Sequence, residues 1–554
     1  MRGKILNYGD GMASQEGSPT KAENTPGNPK LRENWGSRFG VILAVAGSAI
    51  GLGNFLRFPV QAAQNGGGAF LIPYFVSLVI LGFPLMLIEW TLGRYGGMHG
   101  YGTAPSIFAV ATRKHFLKYF GVAGIFAPVV IFIYYTYVES WLLGFAFQSL
   151  FGSLMQAAAD GSTMKDFLLA YQGVIRNSWF DGPGTAYFFF LVTFALNFIV
   201  VYKGIKSGIE IFSKIAMPIL ILLGIVIMAR VVTLGAATAA HPDWNVMNGL
   251  GYLWNPDFSS LLSGKTWLAA AGQIFFTLSV GQGVILTYAS YLKRSDDVTL
   301  NGLTATSLNE FAEVIIGGSL VIPAAYVFMG PGGLVDIARG GAFNLGFVTM
   351  PQIFGFMHFG AFFAFIWFIM LFFAGATSSV SMLQPAVAFV DDEFGLGRRK
   401  ATILTLAFCF LACHGVIIGI SHGVMEELDF WGGTFCLVLF GTIEAIIFGW
   451  VFGIDRAWRE THHGADIIIP HIFKFVLKYV TPTFLLIILV TWTVQTAVPT
   501  LRMEGISADN RAWAIGTRAF LAAFAAVLTF LIYFAWKGRS LTEIEHEMEK
   551  DLPG

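Results

Sequence analysis

The sequence predicts an all-α membrane protein of about twelve transmembrane helices, of which the first and the sixth are discontinuous. Of its 554 residues, 55% are hydrophobic and 12% are charged, whereas about 25% are charged in a soluble protein. So much apolar surface requires lipid as its solvent. Long apolar runs recur along the chain, and glycine-rich polar segments interrupt two of them. The net charge of zero gives no indication of a nucleic-acid partner.

Each predicted crossing is an apolar run of about 20 residues or more, the length that spans the hydrocarbon core of a bilayer. The crossings lie at residues 37–64, 68–96, 116–152, 184–202, 206–231, 267–294, 301–331, 359–395, 399–420, 429–453, 471–497 and 511–537. An even number of crossings places both termini on the same side. Basic residues precede the first crossing and fill the even-numbered connections, which predicts that both termini are cytoplasmic in a multi-pass protein of the plasma or inner membrane; they are Arg32, Arg38, Arg113, Lys114, Lys118, Lys203, Lys206, Lys293, Arg294, Arg398, Arg399, Lys400, Arg456 and Arg459.

The chain divides into four regions. Residues 1–36 are rich in Gly, Pro, Ser and Asn and predict a mobile cytoplasmic segment. Residues 37–453 contain ten crossings and form the core, residues 454–537 add two helices, and residues 538–554 form a cytoplasmic tail. The longest connections on the outer side, about 153–183, 232–266 and 332–358, are too short for a soluble domain.

Two crossings contain segments that an uninterrupted helix disfavours. The first contains GSAIGLGNFLRFP, residues 47–59, and the sixth contains FFTLSVGQG, residues 275–283. Glycine weakens a helix by roughly 1 kcal/mol relative to alanine. Close packing of small residues explains either segment alone equally well. Their corresponding positions favour two inverted five-helix repeats with a site at the membrane midplane, where freed N–H groups attract an anion and freed C=O groups a cation.

Four segments of the chain resemble the neurotransmitter:sodium symporter family. They are NWGSRFGVILAVAGSAIGLGNFLRFPVQAAQNGGGAFLIPY, GQIFFTLSVGQG, LNEFAEVIIGGS and FFAGATSSVSMLQP. The resemblance runs from about residue 31 to residue 537. It implies the LeuT-like fold of that family, with five-plus-five inverted repeats. It also implies a sodium-coupled symporter that imports a neutral amino acid by alternating access.

The resemblance implies two Na⁺ sites. Ala374, Thr377 and Ser378 are spaced to share one helix face, although hydroxyls in helices also commonly bond to carbonyls of their own helix. By resemblance these three residues form the second site with the carbonyls of Gly47 and Ile50. The first site takes the Ala49 carbonyl, the Asn54 side chain, the Thr277 carbonyl and hydroxyl, the Asn309 side chain and the carboxylate of the substrate.

The same resemblance places the amino acid between the two breaks. Backbone N–H groups of Leu52 and Gly53 and the Tyr135 hydroxyl hold its carboxylate. Its ammonium meets the carbonyls of Ala49, Phe276 and Thr277 and the Ser279 hydroxyl. The substrate pocket also contains Ile131, Gln282, Ser378 and Met382. The chain departs from the family pattern here, because Ile131, Gln282 and Met382 replace Val, Phe and Ile, and Ser48 replaces Asn. Aliphatic or medium polar substrates are modestly favoured over aromatic ones.

The remaining expectations concern gates and chloride. By resemblance, Arg57 and Asp429 bridge as an outer gate above Tyr135 and Phe276, although Arg57 could instead snorkel towards the membrane surface. Arg32 and Asp392 form an inner gate near Ser290 and Tyr291, and Trp35 closes the inner vestibule. Glu313 stands where chloride-dependent relatives carry a small neutral residue, so a chloride-independent protein is expected.

Two other functions stay open at this point. A membrane sensor would bind Na⁺ and an amino acid without transport, but the tail after Lys537 is too short for a signalling domain. A membrane-embedded enzyme would need titratable groups that converge at one depth, whereas hydroxyls, amides and broken backbone dominate the predicted midplane. The sequence does not decide the preferred amino acid, the Na⁺ stoichiometry, proton counter-transport or whether the chain forms homo-oligomers.

Overall fold

A computed structural model of the protein describes residues 33–159, 161–235 and 241–539. These residues form helices and connecting loops, and an isolated bridge between Gly67 and Pro256 is the only strand-like pairing among them. Arg32, most of the predicted N-terminal segment and residues 540–554 lie outside the described ranges. The predicted all-α fold class is confirmed for the part of the chain that the structure describes.

Within those ranges, ten helices are long and apolar enough to cross a membrane. They are Gly68–Met98, His115–Leu150, Gly184–Tyr202, Ile205–Val232, Val298–Ile337, Gly360–Phe394, Arg398–His422, Val424–Thr461, Ile472–Leu501 and Ala508–Ala535. The pair Arg38–Ala49 and Gly53–Gln64 is bent by 47° and counts as an eleventh span. Helices Gly264–Thr277 and Val284–Ala289 occupy the predicted sixth crossing, so we number the spans one to twelve in chain order.

The predicted outer connections are not simple loops. They carry the helices Ser153–Ala157, Gly161–Tyr171, Val246–Trp254, Phe258–Leu262, Leu345–Thr349 and Met350–Gly355. The helix Ser319–Asn344 continues beyond the predicted end of the seventh span and bends at Gly330, where φ is +66°. A side chain at Gly330 would collide with the Trp244 ring. The apolar periodicity ends before these segments because they pack on the bundle rather than cross the bilayer.

The third and eighth spans are among the more buried spans of the bundle, and they pack against each other. In their most apolar stretches 72% and 67% of the residues are buried, against 22% in the twelfth span. The bent first span packs against the fifth, seventh and eighth spans. Its first helix begins at Ser37, whose hydroxyl accepts a hydrogen bond from the Gly40 N–H at 3.0 Å. The two discontinuous spans also contact each other, and most residues at their breaks are buried.

Candidate functional site

The break in the first span begins where the helix Arg38–Ala49 ends. Ile50 leaves the helical conformation with a ψ of 88°, and a π-type turn, Gly53–Arg57, leads into the helix Phe58–Gln64. Pro59 lies in the first turn of that helix, where a missing N–H carries little cost. The Gly51 N–H donates to the Asn54 Oδ1 at 2.9 Å. The unwound segment thus stays ordered through its own side chains.

The break in the sixth span has a left-handed backbone at three positions. Ser279, Gly281 and Gly283 have φ values of +53°, +73° and +73°. Glycine adopts this conformation readily, but a serine rarely does. The Ser279 hydroxyl donates to the Ser48 carbonyl at 2.9 Å. This hydrogen bond joins the two breaks directly and contributes to holding Ser279 in its unusual conformation.

A buried polar cluster occupies the space beside the breaks. Asn54 Nδ2 lies 3.2 Å from Thr277 Oγ1, 2.9 Å from Asn309 Oδ1 and 2.9 Å from Glu313 Oε2. Asn309 Nδ2 donates to Thr277 Oγ1 at 3.0 Å, and the Thr277 hydroxyl donates to Glu313. Side chains from the first, sixth and seventh spans therefore converge as the first predicted Na⁺ site requires, apart from the untested carbonyls of Ala49 and Thr277.

The chemistry of this cluster suits a hard cation. Thr277, Asn309 and Glu313 present oxygen atoms, which are the ligands that hard cations prefer. The amide N–H groups of Asn54 and Asn309 bridge these oxygens. Asn54 directs its Nδ2 into the cluster and its Oδ1 towards Gly51. Coordination of a cation by Asn54 therefore requires its carboxamide to turn over, which exchanges donor and acceptor.

The sequence analysis missed a second layer around Glu313. Gln273 Nε2 donates to Glu313 Oε1 at 2.9 Å. The Tyr74 hydroxyl lies 2.7 Å from Glu310 Oε2 and 3.1 Å from Glu313 Oε1. One signal was present in the sequence, because Glu310 and Glu313 are three residues apart and share a helix face. Nothing in the sequence alone brings Tyr74 or Gln273 to that face.

The second predicted Na⁺ site also has its residues close together. Ser378 Oγ lies 3.3 Å from the Gly47 carbonyl, 3.1 Å from the Ser48 carbonyl and 3.1 Å from the Ala374 carbonyl. Thr377 Oγ1 lies 3.2 Å from the Ala374 carbonyl. Both hydroxyls thus bond within their own helix, as the alternative interpretation expected. Ser378 also reaches the break in the first span, which that alternative does not require.

The predicted substrate pocket is enclosed. The Leu52 N–H donates to the Tyr135 hydroxyl at 3.2 Å, and the Phe276 ring lies against Gly53. Ile131, Met382 and Gln282 are all buried. Among the described residues, the Gln282 Oε1 has no hydrogen-bond partner. The replacement at Ser48 has a local consequence, because its hydroxyl bonds to the Ser381 hydroxyl at 2.7 Å.

The two residues of the predicted outer gate each contact an aromatic side chain. Arg57 and Asp429 do not form the expected ion pair in the described part of the chain. The Arg57 guanidinium stacks over the Phe276 ring, 4.3 Å from its centre, and Asp429 accepts a hydrogen bond from the Tyr134 hydroxyl at 2.5 Å. Each charge thus has another partner in this conformation, and the outer gate of Arg57 and Asp429 stays a prediction. Arg57 and Phe276 still line one small cavity with Gly433 of the tenth span.

On the inner side, Trp35 is buried and its Nε1 donates to the Tyr288 carbonyl at 3.0 Å. Its ring meets the Tyr288 ring edge to face at 5.3 Å between centres. Tyr291 accepts a hydrogen bond from Gln384 at 2.7 Å, and Gln384 accepts one from Arg398 at 2.8 Å. The sequence analysis did not identify Gln384 or Arg398 as residues of this site. Asp392 lies near the end of the eighth span. Its predicted partner, Arg32, lies outside the described residues.

Comparisons with known proteins agree with this geometry. A profile of the Sodium:neurotransmitter symporter family matches residues 32–167 and 162–537. An uncharacterized sodium-dependent transporter of Methanocaldococcus jannaschii is 31% identical over 459 residues, which cover 82% of this chain and 89% of that protein. The sodium-dependent serotonin transporter of Drosophila melanogaster is 26% identical, with coverage of 83% and 76%. The crystal structure of MhsT in complex with L-phenylalanine has a TM-score of 0.70 at 29% identity and covers 83% of this chain and 99% of that one.

Proposed function

Because the chain belongs to the Sodium:neurotransmitter symporter family, we propose that it imports a neutral amino acid together with Na⁺ by alternating access. It is a multi-pass membrane protein with the LeuT-like fold of MhsT. The observation that carries the proposal is the convergence of Asn54, Thr277, Asn309 and Glu313 beside the two helix breaks. We further propose that the protein lies in the plasma or inner membrane with both termini in the cytoplasm.

Two Na⁺ ions bind in this proposal. The first is held by Asn54, Thr277 and Asn309, with the carbonyl of Ala49 and the carboxylate of the amino acid. Since ion and substrate each supply a ligand to the other, each raises the affinity of the other by the same factor. The second ion is held by Thr377, Ser378 and the carbonyls of Gly47, Ile50 and Ala374. Its ligands are all neutral, which suits a monovalent ion that must leave in each cycle.

The amino acid lies between the breaks. Its carboxylate is held by the N–H groups of Leu52 and Gly53 and by the Tyr135 hydroxyl. Its ammonium group is held by the carbonyls of Ala49, Phe276 and Thr277 and by the Ser279 hydroxyl. The breaks can serve both groups because unwound backbone presents N–H and C=O groups that a continuous helix would consume.

Selectivity rests on the side-chain pocket. Ile131 and Met382 supply apolar walls, and Gln282 supplies a buried carboxamide whose Oε1 is unpaired in the described structure. A buried polar atom without a partner is costly, so a substrate side chain with a hydrogen-bond donor would satisfy it. A charged side chain would be desolvated there without a counter-charge. The substrate is therefore a neutral amino acid, aliphatic or of medium polarity.

A gate closes each end of the binding site in this proposal. On the outer side Arg57 and Asp429 act with Phe276, whose ring lies between the guanidinium and Gly53. On the inner side Trp35, with Tyr291, Asp392 and Arg32, closes the path to the cytoplasm. Each closure consists of a few side-chain contacts, which a transporter can break and remake in each cycle.

Glu313 makes chloride unnecessary in this proposal. Its carboxylate lies 2.9 Å from Asn54 and interacts with Thr277 of the first Na⁺ site. It supplies the negative charge that a chloride ion supplies in relatives with a neutral residue at this position. The protein is therefore expected to transport equally well with chloride or with an impermeant organic anion.

The test is uptake of a panel of labelled amino acids into proteoliposomes, with an inward Na⁺ gradient or with K⁺ in its place. We expect one or a few neutral amino acids to accumulate only with Na⁺. Binding that depends on Na⁺ without accumulation would identify a sensor instead. If no amino acid binds, the proposed substrate class is wrong, although the family assignment stands.

A further inference from the structure

A bidentate ion pair joins the start of the tenth span to the twelfth span. Arg518 Nη2 lies 2.7 Å from Glu427 Oε1, and Arg518 Nε lies 2.8 Å from Glu427 Oε2. Only 15% of the Arg518 side chain and 10% of the Glu427 side chain are exposed. Paired bonds of this kind fix the orientation of the two groups as well as their distance. Removal of one partner from a largely buried pair leaves the other charge uncompensated.

The twelfth span also contacts the connection that leads into the tenth span. The His422 ring lies nearly parallel to the Trp513 ring, at 3° and with 4.8 Å between ring centres. His422 Nδ1 lies 3.1 Å from Asn510 Oδ1. Arg518 Nη1 donates to the Leu501 carbonyl at 3.3 Å, so the guanidinium is also bound to the end of the eleventh span. These contacts give the start of the tenth span a fixed support.

Glu427 belongs to the segment that carries Asp429 of the proposed outer gate. It lies in the short helix Val424–Leu428, which continues into the π-type turn Asp429–Phe435. The same Glu427 carboxylate accepts a hydrogen bond from Trp431 Nε1 at 3.0 Å. The residue two places before Asp429 is therefore bonded to the residue two places after it, and this bond restricts the turn around Asp429.

The same turn packs against the third span at the proposed gate. Asp429 accepts a hydrogen bond from the Tyr134 hydroxyl at 2.5 Å. A methyl group at Gly433 would lie 2.8 Å from that hydroxyl and 2.9 Å from the Asp429 carboxylate. Gly433 and Thr434 line a small cavity together with Arg57. A displacement of the turn would therefore change both the contact with Tyr134 and the wall of this cavity.

We propose that Glu427 and Arg518 are positioning residues of the outer gate: Arg518 acts through Glu427 to hold the turn Asp429–Phe435 closed against the third span. This inference rests on the proposed function and deepens it, because it gives the twelfth span, which lies outside the ten-crossing core, a role in gating. Neither residue is among the proposed Na⁺ or substrate ligands. Loss of the pair frees the turn to move away from Tyr134 and opens the cavity.

The accessibility of a cysteine in the turn tests this proposal without Na⁺ or an amino acid. Thr434→Cys is introduced into the full chain, and its rate of reaction with a charged thiol reagent is measured on purified protein in detergent. The three native cysteines are buried, and the chain without Thr434→Cys gives the background rate. Glu427→Gln is expected to raise the rate about tenfold, the size expected when a hydrogen bond to a charged group is lost. Arg518→Lys keeps the charge but loses the bidentate geometry, so its increase should be smaller.

Glu426→Gln is the matched control. Glu426 precedes Glu427 on the same short helix, is exposed and lies outside the hydrogen bonds of Arg518. The control removes the same charge and should leave the reaction rate unchanged. The double variant Glu427→Gln/Arg518→Gln leaves no unpaired charge and should raise the rate no further than Glu427→Gln alone, since the two residues act as one unit. If Glu427→Gln does not fold, the double variant is compared with the same control instead.

Three results would overturn the proposal. An unchanged reaction rate in Glu427→Gln, together with a lower melting temperature, would mean that the pair only stabilises the fold. An equal increase in Glu426→Gln would attribute the effect to surface charge, and additive effects of the two substitutions would mean that the residues do not act together. The measurements use neither Na⁺ nor an amino acid, so their failure is distinguishable from failure of the uptake test of the proposed function.

Discussion

Replacement of the Thr277 hydroxyl is the sharpest perturbation of the first proposed Na⁺ site. The hydroxyl oxygen lies 3.2 Å from Asn54 Nδ2 and 3.0 Å from Asn309 Nδ2, and its hydrogen is directed at Glu313. Thr277→Val keeps the branched shape of the side chain and removes only this polar group. The variant therefore removes one cation ligand while the helix end and the neighbouring packing stay in place.

The expected size of the effect follows from the interaction that is lost. A hydrogen bond or ligand contact to a charged group contributes about 1.5–3 kcal/mol. Since 1.4 kcal/mol corresponds to a factor of ten, the Na⁺ concentration for half-maximal uptake should rise by about 10- to 100-fold. Stability should also fall by about 1–3 kcal/mol, because the carboxamide of Asn309 loses an acceptor in a buried site.

The assay is amino-acid uptake into proteoliposomes as a function of Na⁺ concentration. Thr442→Val is the matched control, because Thr442 is similarly buried but its hydroxyl donates, among the described residues, only to the Val438 carbonyl of its own helix, at 2.6 Å. The control should keep the wild-type Na⁺ dependence. A Thr277→Val protein that folds and shows the same Na⁺ dependence as the wild type would refute the assignment of this cluster.

Three further predictions concern charge, closure and selectivity. Glu313→Ser removes the fixed negative charge beside the first Na⁺ site, so its uptake should become chloride-dependent, and equal uptake with and without chloride would contradict this. Gly53→Ala places a methyl group about 2.5 Å from the Phe276 ring, an overlap that costs about 1–3 kcal/mol. Substrate affinity should therefore fall about 5- to 100-fold in equilibrium binding, and an unchanged affinity would argue against close packing of Gly53 and Phe276 at the substrate site. Gln282→Phe should shift uptake from polar towards apolar neutral amino acids in a competition assay, and an unchanged preference would show that Gln282 does not contact the substrate.

Much of the fold was predictable because lipid imposes simple rules. The length of the apolar runs predicted the crossings, and clustered glycines predicted the breaks in the first and sixth spans. The outer connections were predicted less well. Their short helices, such as Val246–Trp254, pack against the bundle, and such contacts leave no periodic signal of their own in a segment of nine residues.

The candidate site was predictable where its residues carry a motif and not where partners come from tertiary packing. Asn54, Thr277 and Asn309 were identified by resemblance, and the structure brings them together. The stacking of Arg57 on Phe276 in place of an ion pair depends on how three spans meet. In addition, an ion pair between Arg57 and Asp429 that forms only at another stage of the transport cycle is absent from a single conformation of the gate.

The central claim is that Na⁺ and an amino acid complete one shared site between the two breaks. Equilibrium Na⁺ binding, measured with and without the amino acid that the uptake panel identifies, tests this claim most directly. Our account predicts that the amino acid raises the affinity for Na⁺ and that Na⁺ raises the affinity for the amino acid by the same factor, with the affinity for Na⁺ weakened in Thr277→Val. Na⁺ and amino-acid affinities that are independent of each other would contradict it.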